Sequence, residues 1–194
     1  TLRGFKVHGY WGLRSRVAGL LDLNLEEPGE WFRILSPGLE HDVELGLAES
    51  AVKSCLVSVA KLKTHDVLGL TLSMKNVMGV LCSARRVDTG EVLARGRLSK
   101  AYMHGYGSLQ PARMPASVIT SSSKLALAVN VLSMISKLTP SLAVVDGILA
   151  MEGDGPVSGV GRRVGVVVAG IDPVAVDAVA CKLAGFKPEE TGYI

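Results

Sequence analysis

Two apolar runs, SLAVVDGIL at residues 141–149 and RVGVVVAG at residues 163–170, decide the fold class. Continuous valine-rich runs of this length are typical of strands that are buried in a sheet. The second run leads into DPVAVDAVACKLAG at residues 172–185, a helical pattern that opens with an aspartate cap and a proline in the first turn. Strands that alternate with helices predict an α/β fold, with a layered mixed or mostly parallel sheet and helices packed on it.

The preceding chain shows further elements of both kinds. CLVSVAKLK at residues 55–63 is apolar and β-branched, which predicts an interior strand. Residues 66–81 and 121–137 carry apolar side chains at helical spacing and predict two helices. Residues 83–110 are polar and rich in glycine and arginine, so we expect an excursion or lid there. Near the start, the pattern predicts a short helix at residues 9–18 and short strands at residues 20–23 and 31–35.

The length of 194 residues and the apolar composition of 48% predict a single domain, residues 1–194, with a large core. The chain opens at Thr1 without a methionine, so we expect a piece of a longer protein. A net charge of +3 without a dense basic stripe argues against a nucleic-acid partner. The longest apolar stretch, residues 125–135, is shorter than the about 20 residues that span a bilayer, and no secretion signal opens the chain. We therefore expect no membrane partner and a cytoplasmic location.

The three cysteines, Cys55, Cys82 and Cys181, are widely spaced in apolar surroundings. Iron–sulfur and zinc sites need grouped thiolates, so this pattern predicts no iron–sulfur cluster within the chain. The chain has one glutamine and three asparagines, and such a low amide content suggests a thermophilic source.

The end of the first predicted strand, KLKTH at residues 61–65, gathers cationic groups. Lys61 and Lys63 leave the same face of a strand, and His65 follows two residues later. Lysines at the tip of an apolar strand either reach solvent or meet an anion. The pattern therefore indicates either a solvated strand end or an anion-binding site.

Polar residues also interrupt the segment that follows. Lys75 and Asn76 break an apolar helical pattern, either as an exposed helix edge or as groups that reach a ligand beside KLKTH. His104 lies in the predicted excursion between two tyrosines. It is either a surface histidine or a second group that titrates near neutral pH.

Three carboxylates follow the predicted strand of residues 141–149. Asp146 is expected at its carboxyl end, where α/β sheets bind ligands, and Glu152 and Asp154 in the glycine-rich loop beyond. Such a group suits a divalent metal or proton transfer. Turn formation is the alternative reading, and it explains Asp154 better than Asp146 or Glu152. Asp177, inside an apolar helix, either bonds groups of the site or faces water.

Taken in order, AKLKTHDVLGLTLSMKNVMGVL at residues 60–81, His104, LAVVDGILAMEGDGPVSG at residues 142–159 and GIDPVAVDAVACKLAGF at residues 170–186 resemble the family called domain of unknown function 362. The likeness covers residues 47–186, with Ala60 and Asp154 replacing a family proline and asparagine. Many members look like iron–sulfur proteins joined to a ferredoxin-type domain, which implies a redox setting and a separate ferredoxin-type partner. The recurring blocks of the family fall on Lys61, Lys63, His65, Lys75, Asn76, Asp146, Glu152 and Asp177.

These observations lead to three hypotheses. The first is an enzyme-like domain that binds a small anionic metabolite through Lys61, Lys63 and Lys75, with Asn76, His104 and Asp177 nearby. In it, Asp146, Glu152 and His65 carry proton transfer, and Asp146, Glu152 and Asp154 hold a divalent metal if one is bound. The second is a module that serves a separate iron–sulfur protein. The third is a structural domain in which the polar residues only complete turns and helix ends.

Overall fold

The computed structural model describes residues 21–106 and 116–194. Its strands and helices confirm the α/β fold class, and the strands form two sheets. In chain order the strands are β1 (Pro28–Arg33), β2 (Val43–Ala48), β3 (Val57–His65), β4 (Gly69–Thr71), β5 (Leu81–Arg86), β6 (Val92–Arg95), β7 (Leu142–Glu152), β8 (Val160–Arg162) and β9 (Val166–Gly170). The α-helices are α1 (Glu49–Val52), α2 (Ser73–Asn76), α3 (Ala116–Lys137) and α4 (Pro173–Leu183).

The first sheet is antiparallel, with the order β1-β2-β5-β6. Its core is apolar because Leu45 and Leu81 from the sheet meet Leu127, Val131 and Met134 from α3, all fully buried. The buried side of α3 therefore packs on the first sheet.

The second sheet carries the predicted strands in the order β4-β3-β7-β8, and β9 also pairs with β7. Among the described strands of this sheet, β3 and β7 pair in parallel and the other pairs are antiparallel, so the mixed version of the predicted sheet is the one observed. One face packs on α4, where Leu62 and Val145 meet Val176 and Ala180. The other face bears exposed side chains, among them Val59.

The helix α4 begins where the sequence predicts. Asp172 Oδ1 accepts hydrogen bonds from the backbone N–H groups of Val174 (2.9 Å) and Ala175 (3.1 Å), and Pro173 occupies the first turn. A side-chain cap followed by proline satisfies donors that a helix start otherwise leaves open. The predicted N-cap role of Asp172 is confirmed.

The helix predicted for residues 66–81 is wrong. After a turn the chain forms β4, then the single-turn helix α2 and a 3₁₀ segment, Val77–Val80. Gly69 has a φ of +80°, a left-handed conformation that breaks a helix, and β4 returns antiparallel along the end of β3. Leu68, Leu70, Leu72 and Met74 are all buried, so this run lacks the exposed side of a surface helix.

The excursion predicted for residues 83–110 is also wrong over its described part. Residues 83–106 supply β5, β6 and a 3₁₀ helix, Gly96–His104, which belong to the first sheet and its core. The strand predicted at residues 20–23 is a 3₁₀ turn at Leu23–Leu25 instead, in the part that is described. The strand predicted at residues 31–35 overlaps β1. The helix predicted at residues 9–18 lies outside the described residues.

The position predicted for Asp146 is wrong as well. It lies within β7, which continues to Glu152, and a shift in the pairing with β3 accommodates the longer strand.

No helix in the described part of the chain combines the length and apolar character needed to cross a membrane.

Candidate functional site

The site is built around the carboxyl end of β3. Lys63 and His65 lie two residues apart, and the pairing with β4 places Thr71 opposite Lys63. Directly paired residues have Cβ atoms about 5 Å apart on the same face, so the Lys63 and Thr71 side chains are neighbours. Lys63 Nζ also donates a hydrogen bond to the carbonyl oxygen of Pro156 (3.2 Å).

His65 is 8% exposed, and its lowered pKa leaves it neutral at physiological pH. Its Nδ1 accepts hydrogen bonds from the backbone N–H groups of Val67 (3.1 Å) and Leu68 (3.3 Å), so the ring proton resides on Nε2. Asp66 Oδ1 lies 3.1 Å from the same Nδ1, but two N–H donors already occupy that atom, so this contact is not an ion pair. Burial, followed by the charge of Lys75, lowers the pKa of His65 to about 4.

Lys75, on α2, brings a second ammonium group to the site. Burial and then the charge of Lys63 lower the pKa of Lys75 to about 8, while Asp66 acts in the opposite direction. The ion pairs formed within the described residues do not include Lys75. Lys75 is therefore a largely desolvated amine that titrates near physiological pH.

Asp177 fixes the short helix that carries Lys75. Its Oδ1 accepts hydrogen bonds from the N–H (2.8 Å) and the hydroxyl (2.5 Å) of Ser73, and its Oδ2 accepts from the N–H of Met74 (2.9 Å). Burial raises the pKa of Asp177, and these hydrogen bonds act against that rise. Asp177 is fully buried with both oxygens in use, so it holds the backbone in place and does not face a ligand.

His104, the last residue of the 3₁₀ helix Gly96–His104, is the fourth residue of this group. Its Nδ1 lies 3.1 Å from Ser123 Oγ on α3. Burial and then the charge of Lys75 lower the pKa of His104. The charges of His104 and Lys63 also lower the pKa of His65, so these residues share one electrostatic environment. We call Lys63, His65, Lys75 and His104 the Lys/His cluster.

Thr71 was missed by the sequence reasoning. It is 8% exposed, and its Oγ1 is a buried oxygen without a hydrogen-bond partner in the described part of the chain. Leaving a buried hydroxyl unpaired costs about 1–3 kcal/mol, so such a group beside Lys63 suits a ligand contact. Recognising Gly69 as the start of a hairpin would have placed Thr71 opposite Lys63.

Lys61 and Asp146 form an ion pair on the outer face of the second sheet. Their pairing across β3 and β7 brings Lys61 Nζ to 2.6 Å from Asp146 Oδ2, and Asp146 Oδ1 accepts from the N–H of Ile148 (3.0 Å). The hydrogen bond from Lys61 lowers the pKa of Asp146. The structure therefore does not join Lys61 to the Lys/His cluster.

The other predicted residues are spread around this site. Asn76 Nδ2 donates to Ser58 Oγ (3.2 Å) and to the carbonyl oxygen of Val59 (3.3 Å), which ties α2 to β3. Glu152, at the end of β7, lies 3.8 Å from Arg162 and lines a cleft of about 500 Å³ next to α4. Asp154 is exposed in the following loop. Among the described residues, no three His, Cys, Asp or Glu side chains gather as a metal site, so Asp146, Glu152 and Asp154 do not form one group.

The loop after β7 lies tightly against β3. A Cβ added at Gly155 would be 2.0 Å from the carbonyl oxygen of Thr64, and Thr64 Oγ1 donates to the carbonyl oxygen of Gly153 (2.9 Å). These contacts bring the Pro156 carbonyl to Lys63. A larger cleft of about 590 Å³, lined by Ile34, His41 and Arg86, holds none of the predicted site residues.

The family of the chain follows from a comparison with family models. The model described as "Domain of unknown function (DUF362)" matches residues 1–182. The chain belongs to this family. The match includes every residue of the Lys/His cluster, together with Thr71 and Asp177.

One similar protein is "Thylakoid-associated protein sll1697" of Synechocystis sp. (strain ATCC 27184 / PCC 6803 / Kazusa). The two are 26% identical over 133 residues, which cover 69% of this chain and 33% of that protein. The chain thus spans about a third of the length of this curated relative. No solved structure matches the chain.

Proposed function

We propose that this DUF362 domain binds a small anionic metabolite at the Lys/His cluster, as the binding part of an enzyme-like site. The observation that carries the proposal is the pairing of Lys63 with Thr71, whose buried hydroxyl has no partner in the described residues. The charges of Lys63, Lys75 and His104 act on the pKa values of their neighbours in the same group. Burial of the Lys75 ammonium group outside the ion pairs of the described residues is costly, and a bound anion would offset that cost.

The cluster offers both binding and proton transfer. Lys63 and Lys75 supply positive charge, and Thr71 and His65 supply neutral donors. An amine with a pKa near 8 changes its protonation state close to physiological pH, as a general acid or base requires. Lys75 is therefore our first candidate for proton transfer, and His65, with its pKa of about 4, is a hydrogen-bond donor that stays neutral.

The predicted carboxylate roles stay separate proposals. A divalent metal at Asp146 and Glu152 would have to break the pairs with Lys61 and Arg162. The test is a thermal-shift series with Mg²⁺, Mn²⁺ and Ca²⁺ on the parent and on a D146N/E152Q variant. A shift that this variant loses would support the metal role, and no shift with any of the three metals would oppose it.

The location and the partner also stay proposals. We keep a cytoplasmic location, a thermophilic source and a separate ferredoxin-type iron–sulfur partner as predictions. Anaerobic co-purification from the native organism, followed by analysis of bound iron and sulfide, tests the partner. Recovery of the protein without a cysteine-rich iron–sulfur protein would contradict that prediction.

Binding at the cluster is tested by thermal shift, with phosphate, sulfate, acetate, citrate and nucleotides at fixed ionic strength. A ligand at about 100 times its dissociation constant stabilises the fold by roughly 2.7 kcal/mol. The variants are K63M and K75M, and K187M is the matched control because Lys187 is exposed and pairs with Glu190 elsewhere. We expect stabilisation in the parent and in K187M, and its loss in K63M and K75M. Equal shifts in all four proteins would contradict the site, and no shift with any of these anions would contradict the function.

A further inference from the structure

The charge of the cluster bears on the kind of anion. Lys63 and Lys75 each carry one positive charge when protonated, whereas His65 is neutral because its Nδ1 accepts two backbone hydrogen bonds. The nearby acid is Asp66, whose side chain is 71% exposed and therefore screened by solvent. A monoanion would leave one of the two ammonium groups uncompensated, whereas a dianion would balance both.

The donors also come from several directions. Lys63 and His65 lie on β3, Thr71 on β4 and Lys75 on α2. A carboxylate offers two oxygens in one plane, whereas a phosphate group offers three strong acceptor oxygens arranged around a tetrahedral centre. Donors on three elements suit the tetrahedral group better than the planar one.

On this basis we propose that the Lys/His cluster binds a tetrahedral dianion, such as a phosphate monoester or the inorganic sulfate ion, without a divalent metal. The proposal rests on the proposed function and narrows it to one ligand class. The donor groups do not suit a divalent metal, because ammonium groups repel a cation and metals of this kind need several oxygen ligands. The phosphate group would bond to Lys63, Lys75, Thr71 Oγ1 and His65 Nε2.

The electrostatics within the cluster support this assignment. The effect of Lys63 on the pKa of Lys75 exceeds that of Asp66, so Lys75 experiences a net positive field. A dianion would reverse this field and keep Lys75 protonated. Sulfate affinity should therefore be constant from pH 6 to 7 and fall about tenfold per pH unit well above pH 8, as free Lys75 loses its proton.

The experiment measures affinities by calorimetry at pH 7 and fixed ionic strength, both with and without EDTA. The probes are sodium sulfate, inorganic phosphate and sodium acetate. We expect sulfate and phosphate to bind at least tenfold more tightly than acetate, and EDTA to leave these affinities unchanged. Acetate binding as tightly as sulfate would overturn the dianion proposal and leave the anion site standing. Loss of sulfate binding in EDTA would overturn its metal-free part, and no binding of any probe would overturn both proposals.

A T71V variant separates ligand binding from folding. The Thr71 hydroxyl lacks a partner in the described part of the chain, so its replacement by a methyl group should leave the unliganded protein equally stable or more stable. Sulfate affinity should nevertheless fall severalfold, because one donor to the anion is lost. A T71V protein that binds sulfate as the parent does would overturn the contact, as would one that is markedly less stable without ligand.

Discussion

Asp177 gives the sharpest test of how the fold builds the site. Replacing it by alanine leaves the N–H groups of Ser73 and Met74 and the Ser73 hydroxyl without their acceptor, in a fully buried place. An unsatisfied buried donor costs about 1–3 kcal/mol, so the three together predict a loss of about 4 kcal/mol in the free energy of unfolding. For a domain of this size that corresponds to a fall of roughly 10 °C in Tm.

The assay is urea unfolding followed by circular dichroism, and D172A is the matched control. Asp172 also caps a helix, but it is exposed, so its loss should cost about 1 kcal/mol. A D177N variant keeps one acceptor oxygen and should lie between the two. If D177A and D172A lose the same stability within about 0.5 kcal/mol, Asp177 does not hold α2 as described.

Three further predictions concern the surroundings of the cluster. Folding lowers the pKa of His65, so the unfolded chain binds more protons than the folded chain between pH 6.5 and about 4. The free energy of unfolding should therefore fall on acidification across that window, by up to about 1.4 kcal/mol per pH unit. An equal acid dependence in the H65Q variant would contradict this. G155A should cost about 2 kcal/mol or more because its Cβ meets the Thr64 carbonyl, whereas G79A, with open space around Gly79, should be nearly neutral; similar unfolding curves would refute the close packing. K61M should raise the pKa of Asp146 towards its ordinary value, measured by NMR titration, and change stability by less than about 1 kcal/mol because the pair is half exposed; a larger stability loss would mean that the pair supports the core.

Elements with strong local signals could be predicted from the sequence. Apolar runs and helical periodicity located β3, β7, β9, α3 and α4, and the order Asp-Pro located the start of α4. The residue types of the Lys/His cluster were also readable, because lysines and histidines beside buried strands are costly unless they have a role. These inferences depend on neighbours along the chain, and tertiary packing did not change them.

The contacts between the site residues depend on the tertiary structure. Strand pairing joins Lys61 to Asp146 and places Thr71 beside Lys63, and Asp177 bonds with Ser73 across 104 positions of the chain. The helix predicted for residues 66–81 failed because apolar spacing fits a buried hairpin and turn as well as a helix, and only the pairing with β3 distinguishes them. Periodicity reports the burial of each side chain, whereas the partner of a side chain depends on which elements pack together. The lysines and histidines of the site were therefore predictable, whereas Thr71 and the separation of the Lys61–Asp146 ion pair from the Lys/His cluster depend on strand pairing.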